Sequence, residues 1–333
     1  MNSLIKLPSV SIVICTLNCK NDLEICLKSI KKQDYPKKKI EIIVVDSYSS
    51  DGTLKVAKKY GAKIILTKIR GYMEGKGMPK SIGCDAAKGD IIITIDSDNA
   101  LVEKDWIKKM IHPLLIDSTI NYAICRMAVV KSDPIINQYL SFVGTDPFAI
   151  YGSLDPQITY GNVKLIDKGN YMIYNNKISN FLITGGYYLV FKKEVLKEIG
   201  GYTRDVDIAY AFASKKSGAN IAIVKNAHLH HLITTSIFDF YKKKKKWGKY
   251  YFKNQSMERA HKWSEGFFGR FGKINFSFNI IKDLLFIPNI FLSFKMLIKY
   301  NNKSWLLHPF IKFLTVIAYL DAWISIMTSS KHK

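Results

Sequence analysis

The chain has 333 residues, 48% of them hydrophobic and 19 of them tyrosine, which excludes wholesale disorder and allows one large core or one domain with a substantial appendage. Lysines and arginines number 50 against 27 acids, and the formal charge of +23 calls for a polyanionic partner: nucleic acid, acidic phospholipid or a phosphorylated substrate. The five cysteines (Cys15, Cys19, Cys26, Cys84, Cys125) are odd in number and form no Cys-x-x-Cys pair, so they read as buried thiols of a reducing compartment.

The amino-terminal stretch shows no signal-peptide pattern, and the expectation is a domain that stays in the cytosol. Val10 to Cys15 is an apolar run broken by Thr16-Leu17-Asn18. From Asp22 a helical period places Leu23, Cys26, Leu27 and Ile30 on one face, ending near Tyr35-Pro36. Ile40 to Val45 reads as a second buried strand, closed by the polar run Asp46 to Thr53. A further helix follows through Leu54, Val56, Ala57 and Tyr60, stopped by Gly61, and Ile64 to Leu66 is a third strand. Strands alternating with helices predict an α/β fold with a doubly wound, mostly parallel sheet flanked by helices.

In such a sheet ligands bind outside the carboxyl ends of the strands. Three polar clusters fall there: Thr16 to Asn18, Asp46 to Thr53 and Asp96 to Asn99. The last closes Ile91 to Ile95, a β-branched run typical of a strand buried on both faces. Asp96 and Asp98 are one residue apart, and on an extended backbone their side chains leave on the same side and suit a hard cation such as Mg²⁺ or Mn²⁺. An Asx turn explains the same pair. Between strands, Gly75 to Gly83 is a glycine-rich loop whose Lys80 opens a helix, an anion site in outline but neither a Walker loop nor a dinucleotide fingerprint.

Trp106 to Leu115 reads as an amphipathic helix. From Ser132 to Ser179 turn residues, tyrosines and asparagines accumulate, and the expectation is a variable binding loop. Thr184-Gly185-Gly186 leads into a strand from Tyr187 to Phe191, then Gly200-Gly201-Tyr202 and Arg204-Asp205-Val206-Asp207 precede a helix from Ala211 to Lys216. Ile221 to Val224 is a strand closing in His228-Leu229-His230-His231. The acids Asp205 and Asp207 suit either the helix dipole or a general base, and the histidines suit either metal ligation or structure.

Residue 232 ends the expected catalytic domain, and residues 233–333 form a basic, apolar, helical tail. The unbroken run Lys242 to Lys246 and the aromatic residues after it fit an anionic membrane interface, and they also fit single-stranded nucleic acid. Apolar stretches at Ile280 to Ile298 and Trp305 to Met327 favour the membrane. Both are interrupted by charges, so they read as amphipathic or re-entrant helices, with one span over Phe310 to Met327 as the alternative.

With these motifs the chain resembles a family 2 glycosyltransferase of the GT-A fold over about residues 9–232. The resemblance rests on Thr16-Leu17-Asn18, on Asp46 through Thr53, on Pro79 to Gly83, on Asp96-Ser97-Asp98, and on the ordered Gly-Gly and Arg204-Asp205-Val206-Asp207 elements. It implies that Thr16, Asn18, Asp46, Ser47, Lys80 and Asp96 bind the donor, with Asp46 against the base and Asp96 against the ribose. Asp98, with Asp96 and His231, would hold Mg²⁺ or Mn²⁺, and Asp205 would be the catalytic base. The asparagine usual after Lys80 is absent, and Arg204 stands where the family has glutamate. The implied activity is inverting transfer from a nucleoside-diphosphate sugar, a UDP-sugar foremost, to a hydroxyl of a glycan or lipid-linked acceptor. The implied place is the cytoplasmic side of the cell membrane, either peripheral or with one carboxy-terminal span. A nucleic-acid partner explains the charge but not Asp96, Asp98 or the buried strands, and a non-catalytic nucleotide-sugar-binding protein is the competing reading.

Overall fold

A computed structural model describes residues 6–69, 78–143, 165–175, 188–198, 200–202, 220–232, 236–253, 280–281 and 283–329. They fall into two units: Met1–Ala128 with Tyr160–Leu232, and Val129–Thr159 with Ile233–Lys333. Residues 129–159 thus fall in the second unit, with residues 233–333.

The first unit is built on β1 (Val10–Thr16), β2 (Ile40–Asp46), β3 (Lys63–Leu66) and β4 (Ile91–Asp96). β1 lies between β2 and β4, and all of these pairings are parallel. Val10, Ile12, Val13, Ile14, Ile42 to Val45 and Ile91 to Ile95 are buried, as the unbroken β-branched runs required. Three helices cross over these strands: α1 (Lys20–Lys31), α2 (Thr53–Lys59) and α3 (Pro79–Ala86). Leu23, Cys26, Leu27 and Ile30 form the buried face of α1, the period read from the sequence.

Beyond β4 the sheet stops being parallel. The remaining strands are β5 (Asn99–Leu101), β6 (Ile120–Met127), β7 (Leu165–Asp167), β8 (Tyr171–Asn175), β9 (Tyr188–Lys192) and β10 (Asn220–His231). The order is β3-β2-β1-β4-β9-β6-β10-β8-β7, with β5 on β10. β9 is antiparallel to both β4 and β6, and β10 is parallel to β6 but antiparallel to β5 and β8. The α/β class with flanking helices stands, whereas the sheet is mixed rather than mostly parallel. The reason is that β9 and the β7–β8 hairpin enter the sheet by pairings that no local apolar period encodes. Between β5 and β6 runs α4 (Trp106–Ile116), which buries Trp106, Ile107, Met110, Ile111 and Leu114; α5 (Ile135–Val143) belongs to the second unit, and after β9 comes the short α6 (Lys193–Glu198).

The second unit contains α5 (Ile135–Val143), α7 (Ile237–Lys253), α8 (Ile287–Tyr300) and α9 (His308–Ser329). Its core gathers around Trp305, which is fully buried and contacts the rings of Tyr139, Phe142, Tyr300 and His308 at centroid distances of 5.8, 5.4, 5.9 and 5.7 Å. The segment expected to be a loop between Ser132 and Ser179 thus contains α5, because Ile136, Tyr139, Leu140, Phe142 and Val143 repeat at helical spacing and are buried here. It also contains β7 and β8, and residues 144–164 and 176–187 lie outside the described residues. The helical stretch Lys303–Thr328 is long and apolar enough to cross a membrane, by length and composition.

Candidate active site

The site begins with strand register. Thr16 stands opposite Asp46 and Cys15 opposite Asp96, so β1, β2 and β4 end level on one rim. That rim holds the loops of three crossovers, and the loops are bonded to one another.

Asp46 is the centre of the first cluster. It is fully buried, and its carboxylate accepts from Thr16 Oγ1 (2.7 Å), Ser49 N (2.7 Å) and Ser49 Oγ (2.6 Å). Asn18 adopts a left-handed backbone with φ 48°, a conformation asparagine tolerates. Its amide N–H donates to Ser49 Oγ (2.8 Å), and its Oδ1 accepts from Ser50 N (2.9 Å). Cys19 N donates to Thr53 Oγ1 (3.0 Å) and Lys20 N to Asp51 Oδ2 (3.0 Å). Asp51 Oδ1 in turn accepts from Thr53 N and Thr53 Oγ1. The Thr53 hydroxyl, foremost, and the Lys20 N–H hold the Asp51 carboxyl below its usual range. Ser47 is buried too, its N–H on Thr16 O (3.0 Å) and its Oγ on Ile69 O (2.9 Å). Of the residues expected against the donor base and ribose, only Asn18 is exposed; Thr16, Asp46 and Ser47 form the frame beneath.

α3 brings the cation. Gly83 sits where an added Cβ would lie 2.3 Å from Val13 Cγ1 and 3.0 Å from Val45 Cγ2, so its lack of a side chain lets the helix rest directly on β1 and β2. At the other end of α3, Lys80 is buried and its Nζ lies 2.9 Å from Asp96 Oδ1. The Asp96 carboxylate at the end of β4 thus neutralises the buried Lys80 ammonium.

Asp98 turns elsewhere. β4 ends at Asp96, and Ser97 and Asp98 form a turn rather than continued strand, so the same-side geometry expected for Asp96 and Asp98 does not hold. β5 then pairs with β10, with Asn99 opposite His231, and Leu232 N donates to Asp98 O (2.7 Å). This places Asp98 Oδ2 3.3 Å from His231 Nε2. The two carboxylates of the motif therefore face different partners, Lys80 and His231.

Asn99 is fully buried; its Nδ2 lies 3.4 Å from Asp98 Oδ1, and its Oδ1 has no hydrogen-bond partner among the described residues. The Asp98 carboxylate and the His231 imidazole nitrogen are groups of the kind that ligate Mg²⁺ or Mn²⁺. Among the described residues no three His, Cys, Asp or Glu side chains gather as a metal cage.

Sequence reasoning missed two neighbours. Asp22 lies in the first turn of α1, where the sequence signals only a helix start. Its carboxyl is raised by burial and by the charge of Asp98, while His231 opposes the rise. Cys19 is likewise raised, chiefly by burial, and is hydrogen-bonded to the Ser97 side chain. The acid in a helix first turn was the only available signal for Asp22. Asp205, together with Arg204, Asp207, Gly185, Gly186 and the loop from Gly75 to Gly77, lies outside the described residues.

A parallel sheet half with polar loops bonded along its carboxyl rim defines a binding site for a nucleotide-like ligand. Residues 11–200 match the family described as Glycosyl transferase family 2. The chain belongs to that family, and its α/β sheet is of the GT-A type the resemblance implied. Poly(ribitol-phosphate) beta-N-acetylglucosaminyltransferase TarS of Staphylococcus aureus (strain Mu50) is 32% identical over 100 residues, covering 29% of this chain and 17% of that protein. GalNAc(5)-diNAcBac-PP-undecaprenol beta-1,3-glucosyltransferase of Campylobacter jejuni is 34% identical over 99 residues, covering 29% of this chain and 31% of that protein. The matched stretch thus spans less than a third of either relative's length. Among solved structures, mannosyltransferase PcManGT from Pyrobaculum calidifontis, in complex with GDP-Man and Mn²⁺, is similar with a TM-score of 0.49 at 15% identity, covering 95% of this chain and 88% of that one.

Proposed function

We propose that the protein is an inverting, metal-dependent glycosyltransferase that moves a sugar from a nucleoside-diphosphate sugar, foremost a UDP-sugar, to a hydroxyl of a lipid-linked glycan at the cytoplasmic face of the membrane. The observation that carries this reading is the pair of centres on one rim: the buried Lys80 ammonium on Asp96, and Asp98 with His231. A diphosphate needs positive charge beside it, and its leaving oxygens need that charge most in the transition state.

Each residue then has a task. Asp46 and Ser47 hold the shape of the rim on which the base and ribose rest, and Asn18 is its exposed edge. Lys80 offers its ammonium to a donor phosphate while keeping Asp96 oriented toward the ribose. Asp98 and His231, with Asn99 beside them, would hold Mg²⁺ or Mn²⁺, which when bound supplies Lewis-acid neutralisation of the diphosphate. Asp205 is proposed as the general base that takes the acceptor hydroxyl's proton, on the strength of its place in the motif. The lipid-linked acceptor is supported by the undecaprenol-linked substrate named for the Campylobacter relative and by the basic, apolar second unit.

The test is turnover. With its own donor and Mn²⁺, the wild type should transfer sugar, and Asp205→Asn should lower turnover by about 10³-fold or more while donor binding stays within a few-fold of wild type. Full activity in Asp205→Asn would remove that residue from the reaction.

A further inference from the structure

Along α8 the second unit leaves a row of apolar side chains uncovered. Its buried side carries Asn289 and Ser293 beside Met296, whereas Ile287, Phe291, Phe294 and Ile298 are exposed, Phe291 at 75% and Ile298 at 80%. The spacing 287, 291, 294 and 298 keeps these four side chains on one narrow helical face, and Ile290 lies beside them. Three polar contacts hold that side within the unit: Asn289 Nδ2 donates to Asp283 Oδ1 (2.9 Å), Ser293 Oγ donates to Trp305 O (2.6 Å), and Lys312 Nζ stands 3.0 Å from Asp283 Oδ2. In water the hydrophobic effect drives the opposite arrangement, so the exposed hydrocarbon stripe needs an apolar occupant.

Charge says what that occupant is. Lys295 and Lys299 flank the stripe on one side, Lys303 follows the helix, and all three are exposed. On α7 of the same unit Lys242, Lys243 and Lys246 are exposed as well. Apolar residues at the centre of a helix face with lysines at its margin match hydrocarbon below anionic headgroups. Length decides the orientation. Fourteen residues rise about 21 Å, short of the roughly 30 Å hydrocarbon core. α9 is longer, but Lys312 is paired with Asp283 and Asp321 with Lys245 (2.7 Å) inside the unit.

We infer that α8 is an in-plane docking helix that seats Ile287, Phe291, Phe294 and Ile298 in an anionic phospholipid bilayer, with α9 kept in the protein layer rather than spanning. This deepens the membrane-associated reading above and does not depend on its chemistry, because the test uses no sugar donor.

The full chain is sedimented with vesicles of phosphatidylglycerol and phosphatidylcholine in equal parts, and with phosphatidylcholine alone. The wild type should partition to the anionic vesicles, and Phe291→Gln/Phe294→Gln/Ile298→Gln should weaken that partition roughly tenfold or more without lowering the melting temperature. Leu320→Gln/Trp323→Gln/Ile324→Gln on α9 should bind as the wild type does. Wild-type affinity in the α8 variant, equal binding to neutral vesicles, or loss of binding only in the α9 variant would each overturn the proposal. So would membrane-bound protein that resists alkaline carbonate extraction, since an in-plane helix is released and a spanning one is not.

Discussion

At the scale of single residues, the site depends on a few buried polar contacts. Lys80 and Asp96 form a pair in which the lysine side chain is 5% and the aspartate 21% exposed. Removing one member of such a pair leaves the other poorly solvated. Lys80→Met should cost about 1–3 kcal/mol of unfolding free energy, the low side for a buried pair because Asp96 keeps some contact with water. Urea denaturation measures it, and Lys80→Met/Asp96→Asn should recover part of the loss. A single variant as stable as the wild type would show that the pair carries no structural load. Asp51 makes a different test. Its carboxyl is held below the usual range when folded, so it adds stability above the ordinary aspartate pKa of about 3.9, and that stability fades as pH falls from there through the lowered folded value. The melting-temperature gap between wild type and Asp51→Asn should be widest near neutrality and close in acid; a gap that does not change with pH would contradict the assignment.

At the scale of elements, close contact of α3 with the sheet is what delivers Lys80 to the rim. A methyl at position 83 would press on Val13 and Val45, so Gly83→Ala should cost about 1–3 kcal/mol and weaken nucleotide binding together with stability. Calorimetric unfolding and nucleotide titration on the same sample check both, and unchanged nucleotide affinity in a destabilised variant would separate α3 packing from the site. The strands and helices whose identity lay in local pattern were legible: β1, β2, β4, α1 and α4 carry their period in the sequence. The turn at Ser97-Asp98 was legible only as one of two readings, because two acids one residue apart look alike on a strand and in an Asx turn. The Asp98–His231 meeting was not legible, because it depends on β5 pairing with β10 across more than a hundred residues. β6 was missed because Asn121 and Arg126 interrupt its apolar run, and its place is fixed by β9 and β10 on either side. α5 was hidden by composition: its asparagine and tyrosine suggested a loop, while its buried face reads as a helix only beside Trp305.

At the scale of the whole molecule, two units of opposite character share one chain. One has an apolar core under a polar rim, and the other, besides its own core around Trp305, exposes a hydrocarbon stripe along α8. That division suits a transferase whose donor is soluble and whose acceptor is held at a bilayer. Under the proposed function the large positive charge, which alone fitted nucleic acid equally well, would serve a diphosphate at the rim and anionic lipid along the tail. The central claim is the cation-assisted diphosphate site, and calorimetric titration of UDP and GDP into the full chain tests it most directly. With Mn²⁺ one of the two should bind roughly tenfold or more tighter than with EDTA, and Asp98→Ala should abolish that difference. Failure of both nucleotides to bind with Mn²⁺ present, or binding that neither EDTA nor Asp98→Ala alters, would contradict it.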